Sequence, residues 1–156
     1  MRIVIFGGTG QLGSFLTRWL RQQGHDVDVV GRRVADPALR WDGFSDGTWM
    51  GLVDGADAVI NLAGAGLADR RWTSAYKRQI VSSRVDLTRE LVAWLGEREQ
   101  APKRLISASA IGFYGAAEDQ AFTEGDVPGS GFSAELCQSW EEEAERASDY
   151  GTQVSL

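Results

Sequence analysis

Three glycines, Gly7, Gly10 and Gly13, recur at the spacing GxxGxxG. They follow the apolar run of residues 3–6 and precede a segment with helical periodicity. Glycines between a strand and a helix let the backbone approach a diphosphate closely, and the N-terminus of the helix offers free N–H groups to the phosphates. The pattern predicts a dinucleotide-binding turn with contacts from Gly7, Thr9, Gly10, Gln11, Leu12 and Gly13.

Two arginines, Arg32 and Arg33, follow a second apolar run at residues 27–30. A site for NAD usually places an acidic residue about 20 residues after the glycines, where it binds the ribose 2′-hydroxyl, whereas an arginine there accommodates a 2′-phosphate. The sequence lacks the acidic residue, and guanidinium groups pair well with phosphate. It therefore favours NADP(H) over NAD(H) as the cofactor. The alternative is that both arginines belong to an exposed surface loop.

The turn and the arginines belong to a series of apolar runs separated by helical segments or loops. These runs cover residues 3–6, 27–30, 58–62, 105–108 and 154–156. Apolar strands that alternate with helices form a parallel sheet, and a chain of 156 residues is sized for one domain. We therefore predict a single α/β domain over residues 1–156, a doubly wound Rossmann fold with a parallel sheet.

Three helices are expected between the strands. The first carries its large apolar side chains on one face: Phe15, Leu16, Trp19 and Leu20. It is expected to end at Gly24, and the last helix is expected to be capped by Ser133 and to end at Gly151. A long helix capped by residue 73 or 74 and ending near residue 96 has a broad apolar stripe, which either packs on the sheet or contributes to a homodimer. A short strand near residues 39–41 is also possible.

Composition and charge disfavour several classes of function. A net charge of −6 disfavours binding to nucleic acid, and no apolar stretch approaches the roughly 18 residues that span a membrane. The N-terminal residues have no secretion signal, so we expect a cytoplasmic protein. One cysteine, Cys137, and one histidine, His25, do not make a metal cluster, and Cys137 is expected to be a buried apolar residue. The acidic run 141–143 is interpreted as a solvated helix face.

Three ordered motifs resemble those of the extended short-chain dehydrogenase/reductases. They are the glycine turn, residues 57–64 (DAVINLAG) and residues 107–115 (SASAIGFYG). Residues 70–73, 83–84 and 136–141 make the chain most similar to an atypical branch known as epimerase family proteins, and the resemblance covers essentially the whole chain. The resemblance implies binding of a nicotinamide dinucleotide and of a small-molecule substrate.

The resemblance also implies roles for residues at the ends of two strands. The residues implied to line the cofactor are Leu62, Ala63, Gly64 and Ser107. Ser109 matches the family's active-site serine or threonine, whose hydroxyl hydrogen-bonds the reacting carbonyl or alcohol. Ligands of open α/β sheets bind outside the carboxyl ends of the strands, which suits this position. For Ala63 and Gly64, the alternative is a tight strand exit without a ligand.

The family's remaining catalytic pair, Tyr-x-x-x-Lys, is missing at the start of the last helix. Phe132 and Leu136 stand there, and neither side chain can transfer a proton. Arg84 stands where related enzymes often carry an asparagine that supports the lysine. The candidates for the proton donor are Tyr114, Glu135, Lys77 and solvent. Tyr114 is the first candidate because it follows the active-site serine on the same loop, and its alternative role is aromatic packing.

These motifs lead to two hypotheses about function. The first is an NADP(H)-binding oxidoreductase or epimerase-like protein that acts on a sugar nucleotide or another small hydroxyl or carbonyl compound. The alternative is a catalytically degenerate, NADP(H)-responsive binding or regulatory module that has lost the Tyr-x-x-x-Lys pair. Extended members of the family continue past the last predicted strand into a C-terminal substrate-binding region. We therefore expect this chain to be the N-terminal part of a longer protein, with that region absent; the alternative is a natural short form.

Overall fold

The computed structural model describes residues 1–41, 43, 47, 49–116 and 120–156. The strands are β1 (Arg2–Phe6), β2 (Asp26–Val30), β3 (Ala58–Asn61), β4 (Arg104–Ser107) and β5 (Gln153–Ser155). The α-helices are α1 (Gln11–Gln22), α2 (Met50–Val53), α3 (Ser74–Val81), α4 (Leu87–Gly96) and α5 (Phe132–Glu145). A π-helical turn (Ser82–Asp86) joins α3 to α4, and 3₁₀ turns lie at Pro37–Leu39, Ile111–Tyr114 and Arg146–Tyr150.

The strands form one parallel sheet in the order β2-β1-β3-β4-β5. The chain passes from β1 to β2 on one side and returns to β3 on the other side of β1, so the strand order reverses at β1. All carboxyl ends meet at one edge of the sheet, and a crevice opens at such a reversal point. The predicted α/β Rossmann architecture is confirmed.

Side chains alternate along β1, so the core has a layer on each face of the sheet. Val4 and Phe6 lie in one cluster with the buried side chains of α4, and Ile3 and Ile5 lie in a second cluster beside α1. The apolar stripe of the long helix is buried, and Leu91 at its centre has no exposed surface. Packing within one chain therefore accounts for that stripe.

The predicted apolar face of α1 is wrong in part. Of its four large side chains only Leu20 is buried, while Phe15 is 63% exposed and Trp19 is 48% exposed. The buried positions of the helix are instead Gly13, Thr17 and Leu20. These positions share a face of the helix because they are four and three residues apart. Gly13 has no side chain, so the helix lies close to the glycine turn that precedes it.

Most helix ends follow the predicted residues. Gly24 after α1 and Gly151 after the last 3₁₀ turn have φ of +81° and +79°, as predicted for C-terminal glycines. The hydroxyl of Thr73 accepts the backbone N–H of Tyr76 in the first turn of α3 at 3.2 Å. The predicted cap at Ser133 is wrong, because α5 begins one residue earlier, after Gly131, and no side chain caps it.

The possible short strand near residues 39–41 is not formed, because Leu39 ends the 3₁₀ turn Pro37–Leu39 and residues 40 and 41 are not in a strand. Gly31 donates its N–H to the oxygen of Leu39 at 3.2 Å, and Trp41 donates its N–H to the oxygen of Gly31 at 3.4 Å. These two bonds hold Trp41 against Phe6, with ring centroids 5.0 Å apart. Among the described residues, no helix has the length and apolar character needed to cross a membrane.

Candidate functional site

The glycine turn connects β1 to α1 at the carboxyl edge of the sheet. Gly7 has a φ of +79°, and its N–H donates to the oxygen of Val30 at 3.0 Å. Gly10 donates its N–H to the oxygen of Gly7 at 3.0 Å, which closes the turn. A Cβ on Gly13 would lie 2.5 Å from the same oxygen. Gly7 and Gly13 are therefore required by the fold itself, the first by its conformation and the second by close packing.

Gly10 has no comparable folding requirement. Its φ of −72° and ψ of 174° are open to any residue, and among the described atoms a Cβ there would meet only the oxygen of Gly7, at 3.2 Å. No side chain caps α1, and its first turn contains no acidic residue. The space that a Cβ at Gly10 would fill lies beside the first N–H groups of α1, which have no partner within the helix. The turn therefore fits an anionic group such as a diphosphate.

One cleft of about 660 Å³ lies at the carboxyl edge of the sheet, beside the turn. The predicted cofactor residues that line it are Gly7, Thr9, Gly10, Arg32, Arg33, Leu62, Ala63 and Gly64. Gln11, Leu12, Gly13 and Ser107 do not line it. Ser107 is buried, and its hydroxyl has no hydrogen-bond partner in the described part of the chain. The structure thus brings the turn, both arginines and the exit of β3 together.

A second, more open groove of about 830 Å³ runs between α1 and β2. It shares Thr9 and Arg33 with the cleft, and Arg18 and Arg21 also line it. It does not include Gly10 or the residues that follow β3. The cleft is therefore the better candidate for a dinucleotide, because only the cleft combines the free space at Gly10 with the strand ends.

A buried hydrogen-bond network shapes the exit of β3. Asn61 donates from Nδ2 to Thr88 Oγ1 at 2.9 Å, and Trp140 donates from Nε1 to the same oxygen at 3.0 Å. Oδ1 of Asn61 accepts the N–H of Ala63 at 3.2 Å. These bonds join β3, α4 and α5, so they fix the backbone of the segment that lines the cleft.

Ser109 lies beyond the end of β4, and its hydroxyl donates a hydrogen bond to the carboxylate of Glu141 on α5. The interpretation of residues 141–143 as a solvated face is wrong in part. Glu141 is half-buried and Glu143 is buried, and only Glu142 is exposed. Glu135, one of the predicted proton donors, is exposed in the first turn of α5. The structure therefore gives Ser109 a carboxylate partner.

Apolar and aromatic side chains occupy the start of α5. Leu136 is buried, and the ammonium nitrogen of Lys77 lies 4.7 Å from the ring centroid of Phe132. Tyr114 stacks on Phe122, with centroids 4.9 Å apart and ring planes 12° apart. The structure thus shows aromatic packing at Tyr114, and its assignment as a catalytic residue stays a prediction.

The profile of the NAD dependent epimerase/dehydratase family matches residues 3–154. The chain belongs to this family. The predicted resemblance to short-chain dehydrogenase/reductases of the epimerase type is thereby confirmed.

Relatives from several organisms agree with this family. An epimerase family protein of Mycobacterium leprae is 37% identical over 156 residues, which cover 99% of this chain and 50% of the relative. The crystal structure of the human epimerase family protein SDR39U1 with NADPH has a TM-score of 0.80 and 28% identity, covering 92% of this chain and 48% of that protein. The crystal structure of a nucleoside-diphosphate sugar epimerase from Corynebacterium glutamicum has a TM-score of 0.80 and 36% identity, covering 97% of this chain and 32% of that protein. The chain spans about half the length of the curated relatives it matches.

In this epimerase-family chain, sequence reasoning missed two features of the site. The network around Asn61 joins residues 27 and 52 positions apart, and the Ser109–Glu141 bond joins residues 32 positions apart. The only local signal was that Glu141 follows the buried Trp140 on an amphipathic helix, which places it at the boundary of the buried face.

Proposed function

We propose that this chain binds NADP(H) in the cleft at the carboxyl edge of β1, β2 and β3. The observation that carries the proposal is Gly10, which lacks a folding requirement and leaves free space beside the uncapped N-terminus of α1. Arg32 and Arg33 line the same cleft and are exposed, so they would pair with the 2′-phosphate that NAD(H) lacks. The human relative solved with NADPH supports this cofactor.

The whole protein is, in this proposal, an oxidoreductase or epimerase-like enzyme for a small hydroxyl or carbonyl compound such as a sugar nucleotide. The bound nicotinamide would accept or supply the hydride. The relative from Corynebacterium glutamicum, described as a nucleoside-diphosphate sugar epimerase, supports this substrate class. The relatives are about twice as long as the part that this chain matches. Residues that correspond to the unmatched part would complete the substrate site.

Ser109 and Glu141 would handle the proton of the reaction. As a substrate alcohol becomes a carbonyl, its O–H proton passes to Ser109 Oγ while the Ser109 proton passes to the Glu141 carboxylate; carbonyl reduction reverses both transfers. A carboxylate in direct hydrogen-bond contact is suited to this role. We prefer this pair to Tyr114, because Ser109 is already hydrogen-bonded to a carboxylate, whereas the contact seen at Tyr114 is aromatic packing on Phe122.

Titration with NADPH and NADH, followed by quenching of tryptophan fluorescence, tests the cofactor assignment. Trp41 lines the cleft and serves as an internal probe. We expect NADPH to bind more tightly than NADH, and we expect Arg32→Ala with Arg33→Ala to remove most of that difference. Arg98→Ala, at an arginine that does not line the cleft, is the control. Tighter binding of NADH would contradict the assignment of the 2′-phosphate.

Turnover is tested on the full-length protein by following NADPH absorbance with aldehydes, ketones and oxidised nucleotide sugars. We expect Ser109→Ala to lower kcat/KM, and Glu141→Gln to lower it mainly through kcat. Unchanged kcat/KM in Ser109→Ala would remove Ser109 from the mechanism. NADPH binding without turnover across the panel would favour the regulatory module, for which the apolar pair Phe132 and Leu136 is the supporting observation.

A further inference from the structure

Arg84 lies in the π-helical turn Ser82–Asp86 that joins α3 to α4. Such turns are rare and often occur at functional sites. The guanidinium donates from Nη2 to the oxygen of Ala65 at 2.9 Å and from Nη1 to Ser83 Oγ at 3.4 Å. It also lies over the indole of Trp140, 5.4 Å from the ring centroid. These contacts hold the side chain between the segment that follows β3 and helix α5.

The guanidinium lies against Gly64, which lines the cleft, while Arg84 itself is not among the lining residues. A Cβ on Gly64 would lie 2.9 Å from Cζ of Arg84 and 3.0 Å from Nη2. Gly64 does not have a positive φ, so the space taken by the guanidinium is the visible reason for a glycine at this position. Gly64 and Ser83 line the cleft, and Arg32 and Arg33 line it on the other side of the glycine turn, beyond β2.

The charge of Arg84 has no carboxylate partner among the described residues, whose ion pairs involve other arginines and Lys103. Burial lowers the pKa of Arg84, yet a guanidinium stays protonated in proteins. It carries five N–H donors, and the contacts to Ala65 and Ser83 account for two of them. A partly buried cation without an anion is costly, and this one stands beside a cleft that fits an anionic ligand.

Arg84 also lies beside the part of α5 that carries Glu141. Its guanidinium lies over the ring of Trp140, the residue that precedes Glu141, and Glu141 accepts the hydrogen bond of Ser109. Leu136 stands where the family's lysine would be, so the π-helical turn brings a positive charge to this region from a different helix.

We propose that Arg84 binds the nicotinamide-nucleotide half of NADP(H), donating hydrogen bonds to its phosphate and ribose oxygens. The inference rests on the proposed function, because it needs the 2′-phosphate at Arg32 and Arg33. With the diphosphate at the glycine turn, the remaining half of the dinucleotide extends towards Gly64 and the guanidinium. Arg84 then supplies the positive charge that Leu136 cannot.

The test compares two ligands by calorimetric titration of the purified protein. NADPH contains both nucleotides, whereas adenosine 2′,5′-bisphosphate lacks the nicotinamide half. We expect Arg84→Met to weaken NADPH binding about tenfold to a hundredfold, the range for a lost charge-assisted hydrogen bond, and to change binding of the bisphosphate less than about twofold. Arg78→Met, an exposed arginine on α3, is the matched control and should change neither affinity.

Equal losses for the two ligands, or no loss for NADPH, would overturn the role of Arg84. A wild-type protein that binds neither ligand would instead refute the proposed function, so the two failures are distinguishable. Arg84→Met also removes the contacts to Ala65 and Trp140, so thermal unfolding is measured for every variant. Arg84→Gln keeps an amide N–H donor but removes the charge, and it serves as a second variant. Weaker binding of NADPH with unchanged binding of the bisphosphate supports the role of Arg84, and wild-type NADPH affinity overturns it.

Discussion

Replacing Gly10 with alanine should separate cofactor binding from folding in the glycine turn. A Cβ at this position meets only one described atom, the oxygen of Gly7 at 3.2 Å, so the backbone must shift by only a few tenths of an ångström. Alanine is a poorer N-cap than glycine, which costs about 1 kcal/mol of stability. For a domain of this size, that cost lowers Tm by roughly 2–4 °C. The same methyl group fills space beside the N–H groups proposed to hold the diphosphate. We expect NADPH affinity to fall about 30-fold or more, which corresponds to about 2 kcal/mol.

Gly13→Ala is the matched control, because its Cβ collides with backbone instead of entering the cleft. The added atom would lie 2.5 Å from the oxygen of Gly7 and 2.6 Å from Cα of Gly8. Overpacking of this kind costs about 1–3 kcal/mol or more, and the helix preference of alanine returns about 1 kcal/mol. Because both clashing atoms belong to the backbone and cannot move aside, we take the upper end of that range and expect a net loss of about 2 kcal/mol and a fall in Tm of roughly 4–8 °C.

The assay is thermal unfolding of both variants without ligand, followed by NADPH titration at a temperature where both are folded. For Gly10→Ala, the loss in free energy of NADPH binding should exceed the loss in free energy of unfolding. Gly13→Ala should lose more free energy of unfolding than Gly10→Ala does. If Gly10→Ala binds NADPH as tightly as the wild type, the space at Gly10 does not serve the diphosphate. The assignment of the cleft would then lose its main support.

Three further outcomes follow from contacts outside the cleft. A hydrogen bond from Lys103, and then one from the backbone N–H of Arg2, lower the pKa of Asp57. Its carboxylate therefore stabilises the fold above its ordinary pKa near 3.8, and this contribution is lost as the pH falls through the lowered value. Asp57→Asn should lower Tm at pH 7, and the difference in Tm from the wild type should shrink towards pH 3. Thr88→Val leaves two buried donors without their acceptor and should cost about 3 kcal/mol in urea unfolding, whereas Thr88→Ser should cost less. Burial raises the pKa of Cys137, so its alkylation by iodoacetamide at pH 8 should be slow in the folded protein and fast in denaturant, and fast alkylation of the folded protein would contradict this burial.

Local patterns predicted most of the fold. Strands and their order along the chain follow from short apolar runs, and the ends of α1 and of the last helical segment follow from glycines with positive φ at Gly24 and Gly151. The exposure of Phe15 and Trp19 could not be predicted in this way. An amphipathic pattern shows that one face is apolar, but the width of the buried stripe depends on how closely Gly13 lets α1 approach the turn.

By itself, the sequence determined the strand, glycine turn and helix at the start of the chain, and it placed two arginines after the next strand. These features depend on backbone conformation and periodicity within a few residues. Only the tertiary structure decided that Ser109 meets Glu141 and that Arg84 lies against Gly64. Those pairs are 32 and 20 positions apart in the chain, so their contact depends on how α5 and the π-helical turn pack on the sheet. No local pattern encodes that packing, because it is set by the fit of whole elements against each other.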